Sequence, residues 1–460
     1  MPAEERASRW LDALLLSLAK LGVSAAVLAS GFRALSDDDY SRIVIAQGFA
    51  EAPKLDPSGT SWLPVPFWIY GTAFAILGSE LVVARAVALV LGVLSVLLVW
   101  ASARLLGASR RGAFIGALLA AAFPYSAWLG VATVPEAPTA ALVLFAAATL
   151  GESRASWRAL GAFCLGLACF SRYEAWPAAV MFAAVNGVDA WRRRDRTLAF
   201  SSLIALGAIA LWILHGIFVH KNAWFFVDRV AAYRAALGGA NEGIVERLLR
   251  YPLALLRFEP ELAILATAAW LASSRAERTR YVRLLLVLGS VLAFTVAGEL
   301  RGGTPTHHEE RVLLSLWFGL AVLAGDLGSL ALSKLSASRR WVALLAVSAA
   351  TTTALLLRGR IAHIGGFADR AREISIGEAA RSNGDETLRL AVLCEDYGYF
   401  AVMAGFGSPS RATSLDSHDP RARAASDPWS NRESLRRTLA EKGARWLVAP
   451  AARDETLGSC

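Results

Sequence analysis

Residues 10–42 read WLDALLLSLAKLGVSAAVLASGFRALSDDDYSR. A long apolar run ends, and Asp37, Asp38 and Asp39 follow almost at once. Charge is costly inside a bilayer, so such a run must leave the membrane before the acids begin. A spanning helix needs about 20 mostly apolar residues, and 10–33 supplies them. Further runs of this kind lie near 81–103, 112–129, 134–150, 157–171, 174–190, 197–219, 259–274, 281–298, 310–329 and 341–357. The expectation is a bundle of about eleven transmembrane helices.

Composition agrees. The 460 residues are 55% hydrophobic and 18% charged, against about 25% charged in soluble domains. The net charge of +9 sits mainly in short loops between apolar segments. With the N-terminus inside, alternate loops carry Arg104, Arg110 and Arg111; Arg154 and Arg158; WRRRDR at 191–196; SSRAERTRYVR at 273–283; and Lys334, Arg339 and Arg340. Each is short and basic, as cytoplasmic loops are. Basic patches interleaved with aromatics are missing, which excludes a nucleic-acid partner. The N-terminal MPAEERASRW leads into apolar residues without a convincing cleavage site, so the first run reads as an uncleaved helix. Cys164, Cys169, Cys394 and Cys460 form no CxxC pair. Cys164 and Cys169 read as small core residues, not as a disulfide or a metal knuckle.

After Arg358 the chain turns polar. LRLAVLC at 388–394 and RWLVAP at 445–450 read as strands. SNRESLRRTLAEKG at 430–443 reads as a helix, with a Ser430–Glu433 capping box and Gly443 at its C-terminal cap. The expected organisation is an all-α polytopic membrane bundle over 1–357, with a loop at 34–80 on the non-cytoplasmic side, and a small α/β domain over 358–460 on that same side.

That side carries the chemistry. In SDDDYSRIVIAQGFA (36–50), Ile43, Val44, Ala46, Phe49 and Ala50 recur at helical spacing. This predicts a short amphipathic helix on the membrane surface, with its acids at the positive end of the helix dipole. APKLDPSGTSWLPVPFWIYGTAFAILG (52–78) is broken by Pro57, Gly59, Pro64 and Pro66. It reads as a re-entrant or interfacial element, with Trp62, Phe67, Trp68 and Tyr70 at the headgroup level. Arg85 follows just inside the next helix, where a cation needs a partner.

In these stretches the sequence resembles the multi-spanning GT-C glycosyltransferases, which include the protein O-mannosyltransferases (glycosyltransferase family 39) and the lipid A aminoarabinose transferases. The resemblance rests on the acids and Tyr40 of the first external loop, the Pro-interrupted aromatic segment, and ELVVARAVALVLG at 80–92. It extends to ATVPEAPTAALVLF at 132–145, SRYEAWP at 171–177 and HHEERVLLSLW at 307–317. The order and common sidedness of these motifs carry the likeness, over residues 10 to 330.

The resemblance implies transfer of a mannose-like hexose or a pentose from a polyprenyl-phosphate donor to a lipid, glycan or protein acceptor. It implies inverting geometry and an extracytoplasmic site in a bacterial inner membrane. Asp38 or Asp39 would be the base, and their order is left open. Tyr40, Arg42, Lys54, Arg85, Glu136, Arg172, Glu174, His308 and Arg311 are the candidate substrate-binding residues. Arg85 and Arg311 are favoured for the phosphate because each lies near the end of an embedded helix. A divalent cation such as Mg or Mn is used by some relatives. Asp38, Asp39, Glu136, His307 and His308 are its candidate ligands, although the adjacent histidines lack i, i+4 spacing. His215, on an apolar helix, reads as a hydrogen-bonded core residue. The competing readings are a transporter, for which no internal repeat is visible, and a non-catalytic scaffold presenting the C-terminal domain.

The predicted sidedness is testable. A protease-cleavable tag placed after residue 360 should be accessible from outside intact cells or spheroplasts. Cleavage in inverted vesicles alone would reverse the topology.

Overall fold

The computed structural model describes residues 3–236, 243–302, 308–361, 368–383, 387–393, 396–415 and 432–449. The Ser430 cap, His307, Cys394 and Cys460 fall outside these residues. The chain runs through α1 (Ala3–Ala29), α2 (Asp37–Glu51), α3 (Val65–Leu77), α4 (Leu81–Leu105), α5 (Arg110–Ala122), α6 (Pro124–Leu129), α7 (Glu136–Thr149), α8 (Ala155–Cys169), α9 (Ala175–Arg193) and α10 (Arg196–Val219). It continues through α11 (Phe225–Ala236), α12 (Ile244–Phe258), α13 (Pro260–Ala272), α14 (Arg275–Thr279), α15 (Val282–Leu300), a 3-10 turn (Glu309–Leu313), α16 (Leu314–Ser333) and α17 (Ala337–Ile361). Then come α18 (Ala371–Ser382), β1 (Leu390–Val392), α19 (Tyr399–Phe406), β2 (Ala412–Ser414), α20 (Arg432–Glu441) and β3 (Trp446–Val448).

Each of the eleven apolar runs overlies a helix. Among the described residues, five helices are long and apolar enough to cross a membrane: Ala7–Ala29, Leu81–Leu105, Arg196–Val219, Val282–Leu300 and Glu309–Ser333. Val65–Leu77, Glu136–Thr149, Ala155–Cys169 and Pro260–Ala272 are shorter apolar helices. The run at 112–129 is two helices, because Pro124 ends α5 at Phe123 and opens α6. Helix α7 is buried over nearly all its surface, as a helix apolar on every side must be. It packs against α4, α8 and α16 at the centre of the bundle.

The basic loops meet at one end. Arg110 pairs with Asp12 at 2.7 Å, Arg158 with Asp189 at 2.7 Å, and Arg283 with Asp189 at 3.0 Å. Arg280 pairs with Asp326 and donates to the Gly107 carbonyl at 2.9 Å. Helices α2 and α3 lie at the other end.

At that other end α2 is more enclosed than a simple amphipathic surface helix. Asp39, Tyr40, Ser41, Ile43, Val44, Ala46 and Gln47 are buried, and it packs between α3 and α19. The segment after Pro64, read as re-entrant or interfacial, is a regular helix, α3. Pro66 sits in the first turn of α3, where its missing N–H costs nothing. Below it the loop 52–64 is irregular, and Ser61 accepts a hydrogen bond from the Tyr173 hydroxyl at 2.8 Å.

β1 pairs in parallel with β2 on one side and β3 on the other, giving the order β2-β1-β3. Gly443, at φ 61°, closes α20. The sheet and α19 share one apolar core with α2 and α3: Tyr40, Ile43, Phe67 and Phe74 pack with Leu390, Val402 and Phe406. Cys164 and Cys169 are buried free thiols in the bundle core.

Helices α5 and α16 approach so closely that side chains are excluded between them. A Cβ on Gly325 would collide with the backbone of Gly116 and Gly112. Small residues of this kind let membrane helices pack by van der Waals contact. Gly325→Val is expected to destabilise the bundle by about 1–3 kcal/mol or more, read as a lower melting temperature in detergent. An unchanged melt would show that this approach is not tight.

Candidate functional site

Glu136 is the first residue of α7 and is 2% exposed. A carboxylate buried this deeply needs cations and donors. It has them: its Oε1 accepts from Arg311 Nε at 2.6 Å and from Arg172 Nη1. Its Oε2 has no partner among the described residues. Arg172 also forms a fork with Glu174, at 3.1 Å from Nε to each oxygen. Arg311, itself buried, reaches on to Asp38 Oδ2 at 3.1 Å. The 3-10 turn carrying Arg311 is held by Arg250, which pairs with Glu309 at 2.7 Å.

The three acids of α2 point in three directions. Asp37 faces the C-terminal unit and pairs with Arg370 at 2.9 Å. Asp38 has a side chain 48% exposed, with one oxygen on Arg311. Asp39 is 1% exposed. Its Oδ2 accepts from the Ser36 backbone N–H at 3.3 Å, as the N3 acid of a capping box does. Its Oδ1 accepts from Thr133 N at 3.1 Å and Thr133 Oγ1 at 3.2 Å. Burial pushes the Asp39 carboxyl above the usual range, against the pull of Arg311. Asp39 thus joins α2 to the turn that leads into α7.

The remaining candidates divide. Arg42 lies over the Trp62 ring, 4.4 Å from its centroid. Its Nε finds no partner among the described residues. Burial lowers its pKa to about 10, against the pull of Glu136, so it stays cationic at neutral pH. Tyr40 and Tyr70 are both buried, each with its hydroxyl unpartnered among the described residues. Arg85 feels the charge of Asp39 but forms no ion pair with the acids among the described residues. It donates to the Val131 carbonyl at 2.6 Å and to the Arg33 carbonyl, tying two turns together. Lys54 and Arg301 are exposed. His308 bonds Glu310 at 3.1 Å. A cleft beside the cluster is lined by Glu136, Thr139, Arg172, Glu174, Arg311 and Ser315.

A second constellation lies nearby. Asp56, His215 and His220 each place a ligand atom within 4.8 Å of the others. His215 Nε2 is 3.2 Å from Asp56 Oδ2 and His220 Nε2 is 3.7 Å from it. His215 is hydrogen-bonded, as expected of it, but to a loop acid. Two imidazoles and a carboxylate suit a transition metal better than Mg, whereas Asp38 and Glu136 already face guanidinium groups.

Sequence reasoning missed Thr133, Asp37, Asp56 and His220. Thr133 sits three residues before Glu136 and carried a positional hint. It also missed Lys20, an amine buried in α1 that reaches the Ala127 carbonyl at 3.4 Å and so props the turn below Thr133.

The placement of Asp39 has a pH signature. A carboxyl whose pKa is raised in the fold contributes stability below its unfolded value, and that contribution is lost as pH rises through the folded value. Melting temperatures of wild type and Asp39→Asn should therefore diverge in favour of wild type as pH falls from neutrality toward about 4. A flat or opposite trend would remove the buried-acid reading.

A family model described as dolichyl-phosphate-mannose-protein mannosyltransferase matches residues 57–240. No curated protein matches. The structure of ArnT from Cupriavidus metallidurans bound to undecaprenyl phosphate aligns with a TM-score of 0.62 at 13% identity, covering 100% of this chain and 95% of that one. The apo form of that protein gives 0.65 at 14% identity, covering 99% and 95%. The oligosaccharyltransferase of Archaeoglobus fulgidus gives 0.55 at 13% identity, covering 97% and 70%. At such identities the likeness is one of fold. The protein is a mostly helical, polytopic integral membrane protein that shares its fold with ArnT and with the archaeal oligosaccharyltransferase, and its residues 57–240 match the mannosyltransferase family model.

Proposed function

We propose that this chain transfers a sugar, a mannose-like hexose or a pentose, from a polyprenyl-phosphate donor to an acceptor hydroxyl, amine or phosphate at the α2 end of the bundle. That end would face the extracytoplasmic side of a bacterial inner membrane. The carrying observation is the convergence of Asp38, Glu136, Arg42, Arg172 and Arg311 beside an aromatic-lined segment at one end of a membrane bundle.

Each part has a task. Asp38 is the carboxylate with an exposed oxygen, so it is the group that can take the acceptor's proton. As the acceptor attacks the anomeric carbon, the bond from that carbon to the phosphate oxygen breaks. The proton goes to Asp38 and the negative charge to the polyprenyl phosphate. Attack opposite the leaving group inverts the anomeric centre. Arg42 has no carboxylate ion pair among the described residues, and it lies over the Trp62 ring. It is better placed to receive the departing phosphate than Arg85, both of whose terminal nitrogens already donate to carbonyls. Arg172 and Arg311, fixed on Glu136, add positive field at the same point. Trp62, Phe67 and the neighbouring apolar helices offer a path for the isoprenoid tail.

Purified protein in liposomes, given labelled polyprenyl-phosphate sugars, should form a glycosylated product. Asp38→Asn should insert and fold normally but lose about 10²-fold or more of that transfer. Wild-type turnover by this variant would remove Asp38 as the base.

A further inference from the structure

The first turn of α2 is clamped from outside the bundle. Ala368 N donates to the Ala34 carbonyl at 3.1 Å, Asp369 lies 3.3 Å from Arg33, and Arg370 grips both oxygens of Asp37 at 2.9 Å each. Three successive residues of the C-terminal unit therefore contact three residues flanking Ser36: Arg33, Ala34 and Asp37. Arg370 is itself oriented by Asp396 at 2.9 Å and Glu373 at 3.2 Å. Three carboxylates around one guanidinium fix its plane, and the bidentate pair fixes Asp37.

The rest of α2 is held by the same unit. Gln47 Nε2 donates to the Ala404 carbonyl at 2.9 Å, and Glu51 accepts from Ser408 Oγ at 2.6 Å and Ser410 N at 3.0 Å. Thr133 anchors Asp39 from the bundle side. Asp38 thus stands between two anchored neighbours. Its own contact, to Arg311, leaves half its side chain free.

We propose that Arg370 is a positioning residue: through Asp37 it sets where the Asp38 carboxylate stands, making the C-terminal α/β unit a working part of the active site. This rests on the assignment of Asp38 above. A misplaced base costs rate more than binding, because reaction needs a near-attack geometry.

The test uses the full-length protein in liposomes, with Arg370→Ala, Arg370→Lys, Asp37→Asn and the Arg370→Ala/Asp37→Asn double variant. Hydrogen–deuterium exchange of 33–45 is read alongside kinetics. Arg370→Ala should lower kcat about tenfold or more, with KM for the lipid donor changed less than about threefold. Exchange should rise in the first turn of α2. Arg370→Lys, with one cation but no fork, should recover part of the rate, and the double variant should be no worse than the poorer single one. Wild-type kcat in Arg370→Ala, or unchanged exchange, overturns the proposal. So does a purely KM effect, or additive losses in the double variant. Should Arg370→Ala fail to fold, Arg370→Lys and Asp37→Asn decide by the same readouts. If the wild type itself transfers no sugar, the functional assignment fails, and the exchange data alone decide the clamp.

Discussion

Everything at the α2 end depends on one buried acid. Glu136 opens a helix that is enclosed on nearly every side, so water cannot solvate its charge. Arg311 and Arg172 supply what water would have given. That requirement fixes two guanidinium groups from distant parts of the chain at one point. Arg311 spans from Glu136 to Asp38 and so joins the bundle centre to the acidic turn of α2. A buried ion cluster is a weak source of net stability, but losing one member leaves an uncompensated charge. The geometry is therefore held tightly, whatever its net energetic worth.

The surrounding pairings share this economy of charge. Arg85 satisfies carbonyls of two turns. Asp39 caps its own helix and holds Thr133. Arg370 neutralises the acid next to the exposed one. Among the described residues, Arg42 Nε and Glu136 Oε2 are left without a hydrogen-bond partner, and Asp38 keeps half its side chain exposed. On the proposed reading, Asp38 would accept a proton and Arg42 would meet a phosphate.

The C-terminal unit closes this arrangement. Its three-stranded sheet is small, and its apolar core is completed by Tyr40, Ile43 and Phe74. Helix α2 packs between α3 of the bundle side and α19 of the C-terminal unit. Its apolar residues are those that face α3 and α19.

The helical bundle was legible from the sequence because hydrocarbon imposes long apolar runs, and because the basic loops recur between them. Each run overlies a helix, and the loops do gather at one end. Asp38, Asp39, Glu136 and Arg311 were also legible as candidates, since charges beside apolar helices stand out, and the fold does bring Asp38, Glu136 and Arg311 together. Their division of labour was not. Three consecutive aspartates look alike in sequence, and α-helical geometry turns each by about 100° from the last. Which one meets Arg370, Arg311 or Thr133 is decided by partners hundreds of residues away. The same holds for Arg85, whose role is set by two carbonyls, and for Asp56, His215 and His220, which no local spacing could unite. Local chemistry names the charges; tertiary packing chooses which of them are spent on each other and which stay free to react.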